Sequence, residues 1–433
     1  MDPDDTRAAP SAPSRLRSIV GGSAGNLVEW YDWYTYAAFS LYFAPHFFPS
    51  GDRTTEQLQS AMVFAVGFLM RPLGAWLLGV YADRRGRKAG LTLTVSLMCA
   101  GSMMIALIPG RETIGWAAPA LLIVARLLQG LSLGGEYGAS ATYLSEIAHE
   151  KHRGFWASFQ YVTLIGGQLS ALAVLLMLQA LLGEAALDAW GWRIAFVIGG
   201  LLAVVVFVLR RRLAETESFA NVQAAGGSRS SAWTLVREHP REALTVVFLT
   251  AGGTLAFYAY SIYMQKFLVN TSGFDRSTAA WISAGSLTCF MLLQPLVGAL
   301  SDRIGRKPLM VGFGMLGTVA TYPAFVALEG VRDPWTAFAI VLGLLAILSG
   351  YSAISGVVKA EMFPAHIRTL GVALPYAIAN AVFGGTQETV AFALKGAGFE
   401  RGLYWYVTAM IAVSLVTYLT MRDTKRFSRI AEG

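Results

Sequence analysis

The sequence predicts an all-α membrane protein with 12 transmembrane helices, arranged as two pseudo-symmetric halves of six helices each. Three observations lead to this prediction: a charged loop that occurs twice, a composition suited to lipid, and apolar runs long enough to cross a bilayer. Because the charged loop recurs after about half of the chain, we interpret the molecule as a duplicated membrane protein.

The repeated loop is the most specific of these features. Gly79 to Lys88 reads GVYADRRGRK, and Gly298 to Lys307 reads GALSDRIGRK. Both copies follow the pattern G-x-x-x-D-R-x-G-R-K, and each lies between two apolar runs. Such agreement at two distant positions indicates an internal repeat.

The composition favours the lipid bilayer as solvent. Hydrophobic residues make up 55% of the chain and charged residues 14%, and the mean hydropathy is +0.51. These values are unusual for a soluble domain. The net charge of +7 does not indicate a nucleic-acid partner, because basic residues of membrane proteins concentrate in cytoplasmic loops. Cys99 and Cys289 lie in apolar runs without a neighbouring Cys or His, so we expect no disulfide framework, metal or cofactor.

Twelve apolar runs divide into two sets of six. The runs cover residues 19–44, 58–82, 89–109, 117–147, 155–183 and 192–210, and then 242–270, 278–301, 308–328, 334–361, 367–395 and 402–421. The expected organisation is a disordered cytoplasmic N-terminus (1–18), a six-helix bundle (19–212), a cytoplasmic linker (213–241), a second six-helix bundle (242–422) and a cytoplasmic tail (423–433).

Lys and Arg residues predict the topology, because they are retained on the cytoplasmic side. They concentrate at the termini and in the loops that include both repeated motifs. The opposite loops hold Arg53, Arg111, Arg276, Arg332 and Arg401. We therefore expect both termini to be cytoplasmic.

Charged residues at the cytoplasmic ends of the runs form a candidate gate between the halves. An aspartate there can cap a neighbouring helix N-terminus or pair with an arginine, and such contacts can close one side reversibly. The alternative is that these charges only fix the topology. The candidate gate residues are Asp83, Arg87, Asp302, Arg306, Glu146, Arg153, Glu361 and Arg368.

The paired loops resemble the signature of the major facilitator superfamily. Further segments resemble its metabolite:proton symporters, and the last two resemble members that carry α-ketoglutarate. These segments are GNLVEWYDWYTY (Gly25 to Tyr36), GFLMRPLGAWLLG (Gly67 to Gly79), ARLLQGLSLGGEYG (Ala125 to Gly138), FQYVTLIGGQL (Phe159 to Leu169), AEMFPAHIRTLGV (Ala360 to Val372), YMQKFLVNTSG (Tyr263 to Gly273) and ANAVFGGTQETVAFALK (Ala379 to Lys395).

The resemblance implies the major facilitator fold and proton-coupled import of α-ketoglutarate or a similar dicarboxylate across a bacterial inner membrane. Relatives that carry citrate, shikimate, or proline and betaine leave those substrates open as alternatives. We expect a transporter and not an enzyme, acting as a monomer. A transport ATPase is disfavoured because no GxxxxGK[ST] phosphate loop occurs, whereas a uniporter or a sensor on a transporter scaffold stays open.

Ionisable residues near the bilayer centre mark the candidate substrate site, because each costs at least ~2.5 kcal/mol there. Arg71 and Arg126 are permanently charged and can bind carboxylates bidentately. The alternative is that they form structural salt bridges with nearby acids. Tyr376 and Asn380 lie four residues apart on one helix face and complete the predicted site. Lys266, like Lys395, lies near the outer end of its run, where a lysine can reach the interface.

Proton coupling requires a group that titrates in the membrane. The histidines lie near the ends of the runs or in loops, so we expect a carboxylate to carry the proton. The candidates are Glu29, Asp32 and Glu136. Glu29 and Asp32, one helix turn apart, are preferred because Glu136 lies in a Gly-rich stretch that favours close helix packing.

Overall fold

The computed structural model describes residues 12–85, 87–134, 141–142, 144–145, 148, 150–211, 232–364 and 367–432. Side chains are described for these residues except 12–26, 79–80, 82–91, 150, 209–211 and 431–432. All regular structure in these ranges is helical.

Six long helices form the first half. They are α1 (Ala12–Phe47), α2 (Arg53–Arg85), α3 (Arg87–Leu107), α4 (Ala117–Leu133), α5 (Phe159–Ala186) and α6 (Trp192–Arg211). Short helical segments connect them at Arg111–Ile114, Glu150–His152, Arg153–Ala157 and Leu187–Gly191.

The second half repeats this arrangement, with three of its helices divided. The elements are α7a (Pro240–Phe257), α7b (Tyr263–Asn270), α8 (Arg276–Ile304), α9 (Arg306–Gly330), α10a (Pro334–Ser352), α10b (Ser355–Met362), α11a (Arg368–Ala379), α11b (Gln387–Gly396) and α12 (Arg401–Thr420). Short helices at Ala232–Glu238 and Arg429–Glu432 flank this half.

The helices are suited to a membrane in length and surface. Within the described residues, seven helical stretches are long and apolar enough to cross a bilayer, and one of them, Arg153–Val208, contains α5 and most of α6. The apolar parts of α3 and α4 are shorter. Large apolar side chains, including Trp76, Val319 and Trp335, are exposed on the outside of the bundle. So much exposed apolar surface is expected of a protein that faces lipid.

Helix packing repeats between the halves with an offset of six helices. In the first half α1 packs on α5, α2 on α4, and α3 on α6; in the second, α7a packs on α11a, α8 on α10a, and α9 on α12. The halves meet where α8 packs against α5 and α11 packs against α2. The twelve helical spans are therefore arranged as a pseudo-symmetric pair of six-helix bundles, as predicted.

Close contact between α2 and α4 brings the two candidate arginines together. A Cβ on Gly130 would lie 2.1 Å from the Gly67 carbonyl oxygen, and a Cβ on Gly67 would lie 3.3 Å from the Arg126 carbonyl oxygen. A side chain at either glycine would separate the helices. Arg71 lies one turn after Gly67, so this close packing holds both arginines in one region.

Two helices of the second half are interrupted at positions that lie next to each other, because a Cβ on Gly384 would lie 2.7 Å from the Tyr258 ring. Tyr258–Ile262 joins α7a to α7b as a π-helical turn, and Asn380–Gly384 interrupts α11 in the same way. Such turns often occur at functional sites. The turn in α11 packs on α7a and on α2, so it reaches the boundary between the halves.

Candidate substrate site and gates

Arg71 and Arg126 lie in one aromatic cage that the first half forms. Their exposed fractions are 4% and 0%. The Arg71 Cζ atom lies 4.2 Å from the Trp33 ring centroid and 4.1 Å from that of Phe68, while the Arg126 Cζ atom lies 4.0 Å from the Trp33 centroid. The ring of Trp33 therefore contacts both cations, and the ring electrons partly offset the loss of water around them.

Both guanidinium groups have unused donors. For each arginine the Nε and Nη2 atoms are buried without a hydrogen-bond partner in the described part of the chain. No Asp or Glu among the residues with described side chains forms an ion pair with either group. A buried charge without a partner is strongly unfavourable, so the site has the chemistry of an anion-binding site.

Asp32 is connected to Arg126 through the amide of Gln129. Arg126 Nη1 donates to Gln129 Oε1 at 2.7 Å, and Gln129 Nε2 donates to Asp32 Oδ2 at 2.6 Å. The Ser102 hydroxyl donates to Asp32 Oδ1. Asp32 has an exposed fraction of 1%, so burial disfavours its negative charge, while these hydrogen bonds and the nearby Arg126 favour it. Sequence reasoning identified Asp32 and Arg126 but not the glutamine between them.

Of the other two candidate carboxylates, Glu29 and Glu136, the structure describes only Glu29. Glu29 is buried on α1, one turn before Asp32. Glu136 lies outside the described residues. Asp32 is thus the candidate whose described contacts lead, through Gln129, to an arginine of the anion site.

The second half faces Arg71 with hydroxyl and amide groups. The Tyr258 hydroxyl lies beside Arg71 and Asn380. Asn380 Nδ2 is 3.4 Å from the Tyr376 hydroxyl, to which it donates, and Lys359 Nζ is 4.3 Å from the Tyr376 ring centroid. All five side chains are buried. The predicted residues Tyr376 and Asn380 therefore lie on a polar path that leads to Arg71 from the other half.

Asp302 joins the halves at the face that carries the repeated loops. Its carboxylate accepts the backbone N–H of Gly154 at 2.7 Å and that of Phe155 at 2.9 Å. Arg306 Nη1 donates to the same carboxylate at 2.8 Å. Asp302 thus caps the first turn of the short helix that precedes α5, a favourable position for a negative charge.

The neighbouring gate candidates also make described contacts. Arg306 Nη2 lies 3.4 Å from Glu361 Oε1, and the Thr424 hydroxyl donates to Glu361 Oε2 at 2.6 Å. Arg153 Nη1 donates to the Ser428 hydroxyl at 3.4 Å. Residues that follow α12 therefore take part in the contacts at this face.

Arg368 lies in the same region. It donates to the Phe363 carbonyl oxygen at 3.1 Å and to the Arg429 carbonyl oxygen at 3.0 Å. The remaining gate candidates are Asp83, Arg87 and Glu146, and they lie outside the residues with described side chains.

Arg276, at the start of α8, joins the halves at the opposite face. Arg276 Nη1 lies 2.6 Å from Asp188 Oδ1 and 3.3 Å from Glu184 Oε2, and its guanidinium carbon lies 4.5 Å from the Tyr42 ring centroid. These contacts join the second half to the first. Charged contacts between the halves are thus present at both faces.

The expectation for Lys266 is wrong. Its exposed fraction is 2%, and it forms an ion pair with Glu388. The partner is 122 positions away in the chain, so no local pattern could reveal it. Lys266 is buried in the bundle and does not reach the interface.

Two halves of six helices around a buried, charged site define a membrane transport protein. Residues 19–231 match the family described as Sugar (and other) transporter, and residues 246–429 match the Major Facilitator Superfamily. The chain is 53% identical over 417 residues to the alpha-ketoglutarate permease of Escherichia coli (strain K12), covering 96% of each chain. It is 35% identical over 426 residues to the citrate-proton symporter of Salmonella typhi, covering 97% of each.

A solved structure shares the fold. The proton:xylose symporter XylE bound to 6-bromo-6-deoxy-D-glucose superposes with a TM-score of 0.76 at 17% sequence identity, covering 97% of this chain and 98% of that one. The chain belongs to the major facilitator superfamily. The predicted fold and the expectation of a transporter and not an enzyme are therefore confirmed, and the protein is a multi-pass membrane protein.

Proposed function

We propose that this protein is a proton-coupled symporter that imports α-ketoglutarate or a similar dicarboxylate by alternating access. The observation that carries this proposal is the pair of buried arginines, Arg71 and Arg126, on one aromatic ring. The relative that is 53% identical is an alpha-ketoglutarate permease, which supports the substrate class.

The unused donors suit carboxylates. The Nε and Nη2 atoms form the side of a guanidinium group that presents two parallel N–H bonds, and this side matches the two oxygens of a carboxylate. Both Arg71 and Arg126 have this side without a partner in the described part of the molecule. A dianion can therefore engage each arginine with one carboxylate, while Tyr376 and Asn380 approach from the other half.

Asp32 is the proposed proton carrier. When it is ionised, its charge lies near Arg126 and holds Gln129 by a hydrogen bond at 2.6 Å. Protonation removes that negative charge and therefore favours binding of an anionic substrate at Arg126. Binding of proton and substrate is then mutually favourable, as symport requires. Glu29 and Glu136 are further candidates for this role.

Proton symport also answers an energetic problem. Entry of a dianion into a negative interior is opposed by about 2.3 kcal/mol per charge per 100 mV. Protons that move with the substrate offset this cost. Release of the proton from Asp32 on the inner side restores its negative charge and so completes the transport cycle.

Alternating access assigns the charged contacts at the two faces to two gates. The cytoplasmic gate consists of Asp302, Arg306, Glu361, Arg153 and Arg368, with Asp83, Arg87 and Glu146 as counterparts. The contact of Arg276 with Asp188 closes the opposite side. Opening one side requires that one set of contacts breaks while the other holds.

The proposal includes a location and an organisation. We place the protein in a bacterial inner membrane with both termini cytoplasmic, as the positions of Lys and Arg indicate. We expect a monomer of two bundles, 19–212 and 242–422, joined by the linker 213–241, with segments 1–18 and 423–433 at the ends.

The test is uptake of labelled α-ketoglutarate by purified protein in liposomes with an inward proton gradient. We expect accumulation that a protonophore abolishes, and loss of uptake in Arg71→Gln and Arg126→Gln. Arg237→Gln is the matched control, because Arg237 is exposed on the short helix before α7a. If the protein takes up none of the dicarboxylates tested, the substrate assignment is overturned. Full accumulation in the presence of protonophore would overturn the coupling.

A further inference from the structure

A small cavity lies between the halves, next to the arginine cage. Its volume is ≈ 10 Å³, room for the centre of one water molecule. Its polar lining comes from both halves: Tyr34 and Gln168 from the first, Ser261 and Gln265 from the second. Apolar side chains complete the walls.

Three polar atoms at this cavity lack hydrogen-bond partners among the described residues. They are the Tyr34 hydroxyl, Gln168 Oε1 and Gln265 Nε2. The exposed fractions of the three side chains are 1%, 5% and 4%. Gln168 Nε2 donates to the Ser261 carbonyl oxygen at 3.1 Å, which fixes the amide so that its oxygen is the unused atom. Buried polar groups in proteins are almost always paired, so this cluster points to a ligand.

The cavity adjoins the proposed substrate site through Tyr34. The Tyr34 ring stacks on Trp30 at 5.5 Å between centroids, and the Arg71 Cζ atom lies 5.3 Å from the Trp30 ring centroid. The Tyr34 hydroxyl also neighbours the Tyr258 hydroxyl, which lies beside Arg71, but the two form no hydrogen bond of regular geometry. A ligand held by Arg71 can therefore reach the cavity with a short uncharged group.

The cluster offers hydrogen bonds but no charge. The Tyr34 hydroxyl and the Gln265 amide nitrogen are donors on side chains that line the same cavity, so one oxygen atom in the cavity is offered both. The second N–H of Gln265 is available to donate a hydrogen bond to Gln168 Oε1. The space suits one oxygen atom and not the two of a carboxylate. These features match the carbonyl oxygen of a 2-oxo acid.

We propose that Tyr34, Gln168 and Gln265 form a subsite for the oxo group of the substrate and so select 2-oxo dicarboxylates. This inference rests on the proposed function and deepens it. Sites built to hydrogen-bond a substrate oxygen discriminate strongly against analogues that lack it, because the site's own polar groups are left unpaired. We expect roughly tenfold weaker inhibition by glutarate, which lacks the oxo group, than by α-ketoglutarate.

The test measures inhibition of labelled α-ketoglutarate uptake by unlabelled α-ketoglutarate and by unlabelled glutarate. In Tyr34→Phe and in Gln265→Leu, the ratio of the two inhibition constants should fall towards one, because α-ketoglutarate binds less tightly while glutarate changes less than twofold. Gln294→Leu is the control: Gln294 is a buried glutamine that bonds Ser349 and Ser352 within the second half. Its ratio should match that of the wild type.

The outcomes separate the two proposals. If the wild type takes up no dicarboxylate, the proposed function fails. If the wild type transports α-ketoglutarate but does not prefer it to glutarate, the subsite fails while the function stands. If both variants weaken the two ligands equally, the cluster is structural and the subsite is overturned. Should one variant not fold, the ratio in the other decides, and binding of both ligands to detergent-solubilised protein measures it without transport.

Discussion

Lys266 Nζ lies 2.7 Å from each carboxylate oxygen of Glu388, and both residues have exposed fractions of 2%. Lys266 is on α7b and Glu388 is on α11b, so the ion pair joins the second parts of the two interrupted helices. Each of these parts follows a π-helical turn that contributes a residue to the arginine site, Tyr258 in one case and Asn380 in the other. The pair therefore holds together the two segments adjacent to the proposed site.

Removing one partner of this pair should damage the protein more than removing both. Lys266→Met leaves a buried carboxylate without its cation, which typically costs about 3–5 kcal/mol, whereas an apolar pair of similar volume is often neutral. We expect Lys266→Met and Glu388→Leu each to lower the melting temperature in detergent, and the double variant to recover most of that loss. This expectation would be contradicted if the double variant lowered the melting temperature by at least the sum of the decreases in the two single variants.

Arg126 should not tolerate lysine. Lys keeps the charge but cannot form the paired N–H contact with a carboxylate. We expect Arg126→Lys to raise the KM for α-ketoglutarate at least tenfold, in initial-rate uptake measurements at matched protein amounts. Arg237→Lys, at an exposed position, should leave the KM unchanged. An unchanged KM in Arg126→Lys would show that charge alone suffices.

Asp32→Asn should separate exchange from accumulation. Asparagine keeps the shape of the side chain and can accept from Gln129, but it cannot release a proton. We expect the variant to exchange internal for external substrate, including at high pH, and to lose accumulation driven by a proton gradient. Glu29→Gln is the informative comparison. If only that variant loses accumulation, the proton carrier is Glu29 and not Asp32. Glu238→Gln, at an exposed position, is the control.

Most of the fold follows from the sequence because its signals are local. An apolar run specifies a span, and a repeated loop specifies a duplicated half. The depth of Arg71 and Arg126 within their spans also predicts two buried cations, and the structure places them on one ring. Their common partner, Trp33, was not predicted, since aromatic residues occur throughout α1 and spacing alone does not select one.

The remaining features depend on contacts between distant parts of the chain. Gln129 links Asp32 to Arg126 only because α1 and α4 lie together in the folded bundle. The π-helical turn at Tyr258–Ile262 contains no proline or glycine, so no sequence signal identifies where this helix is interrupted. Tertiary packing determines both features.

The contact between Gly154 and Gly298 provides a test of the gate at the face with the repeated loops. A Cβ on Gly298 would lie 2.6 Å from the Gly154 carbonyl oxygen, so a larger residue there is incompatible with the observed approach of α8 to the first half. We expect Gly298→Val to prevent closure of this face and to abolish net uptake. Gly312→Val is the matched control, because a Cβ on Gly312 would have nothing within 4 Å.

The separation of the halves can be measured directly in this variant. Spin labels on cysteines introduced at His152 and Arg303, both exposed, report the distance between the two bundles at this face once Cys99 and Cys289 are replaced by alanine. Gly298→Val should shift the distance distribution to longer values, whereas Gly312→Val should leave it unchanged. Because Asp302 accepts two backbone N–H groups across the same contact, Asp302→Asn should produce a smaller shift in the same direction. An unchanged distribution in Gly298→Val would exclude this contact as part of the gate.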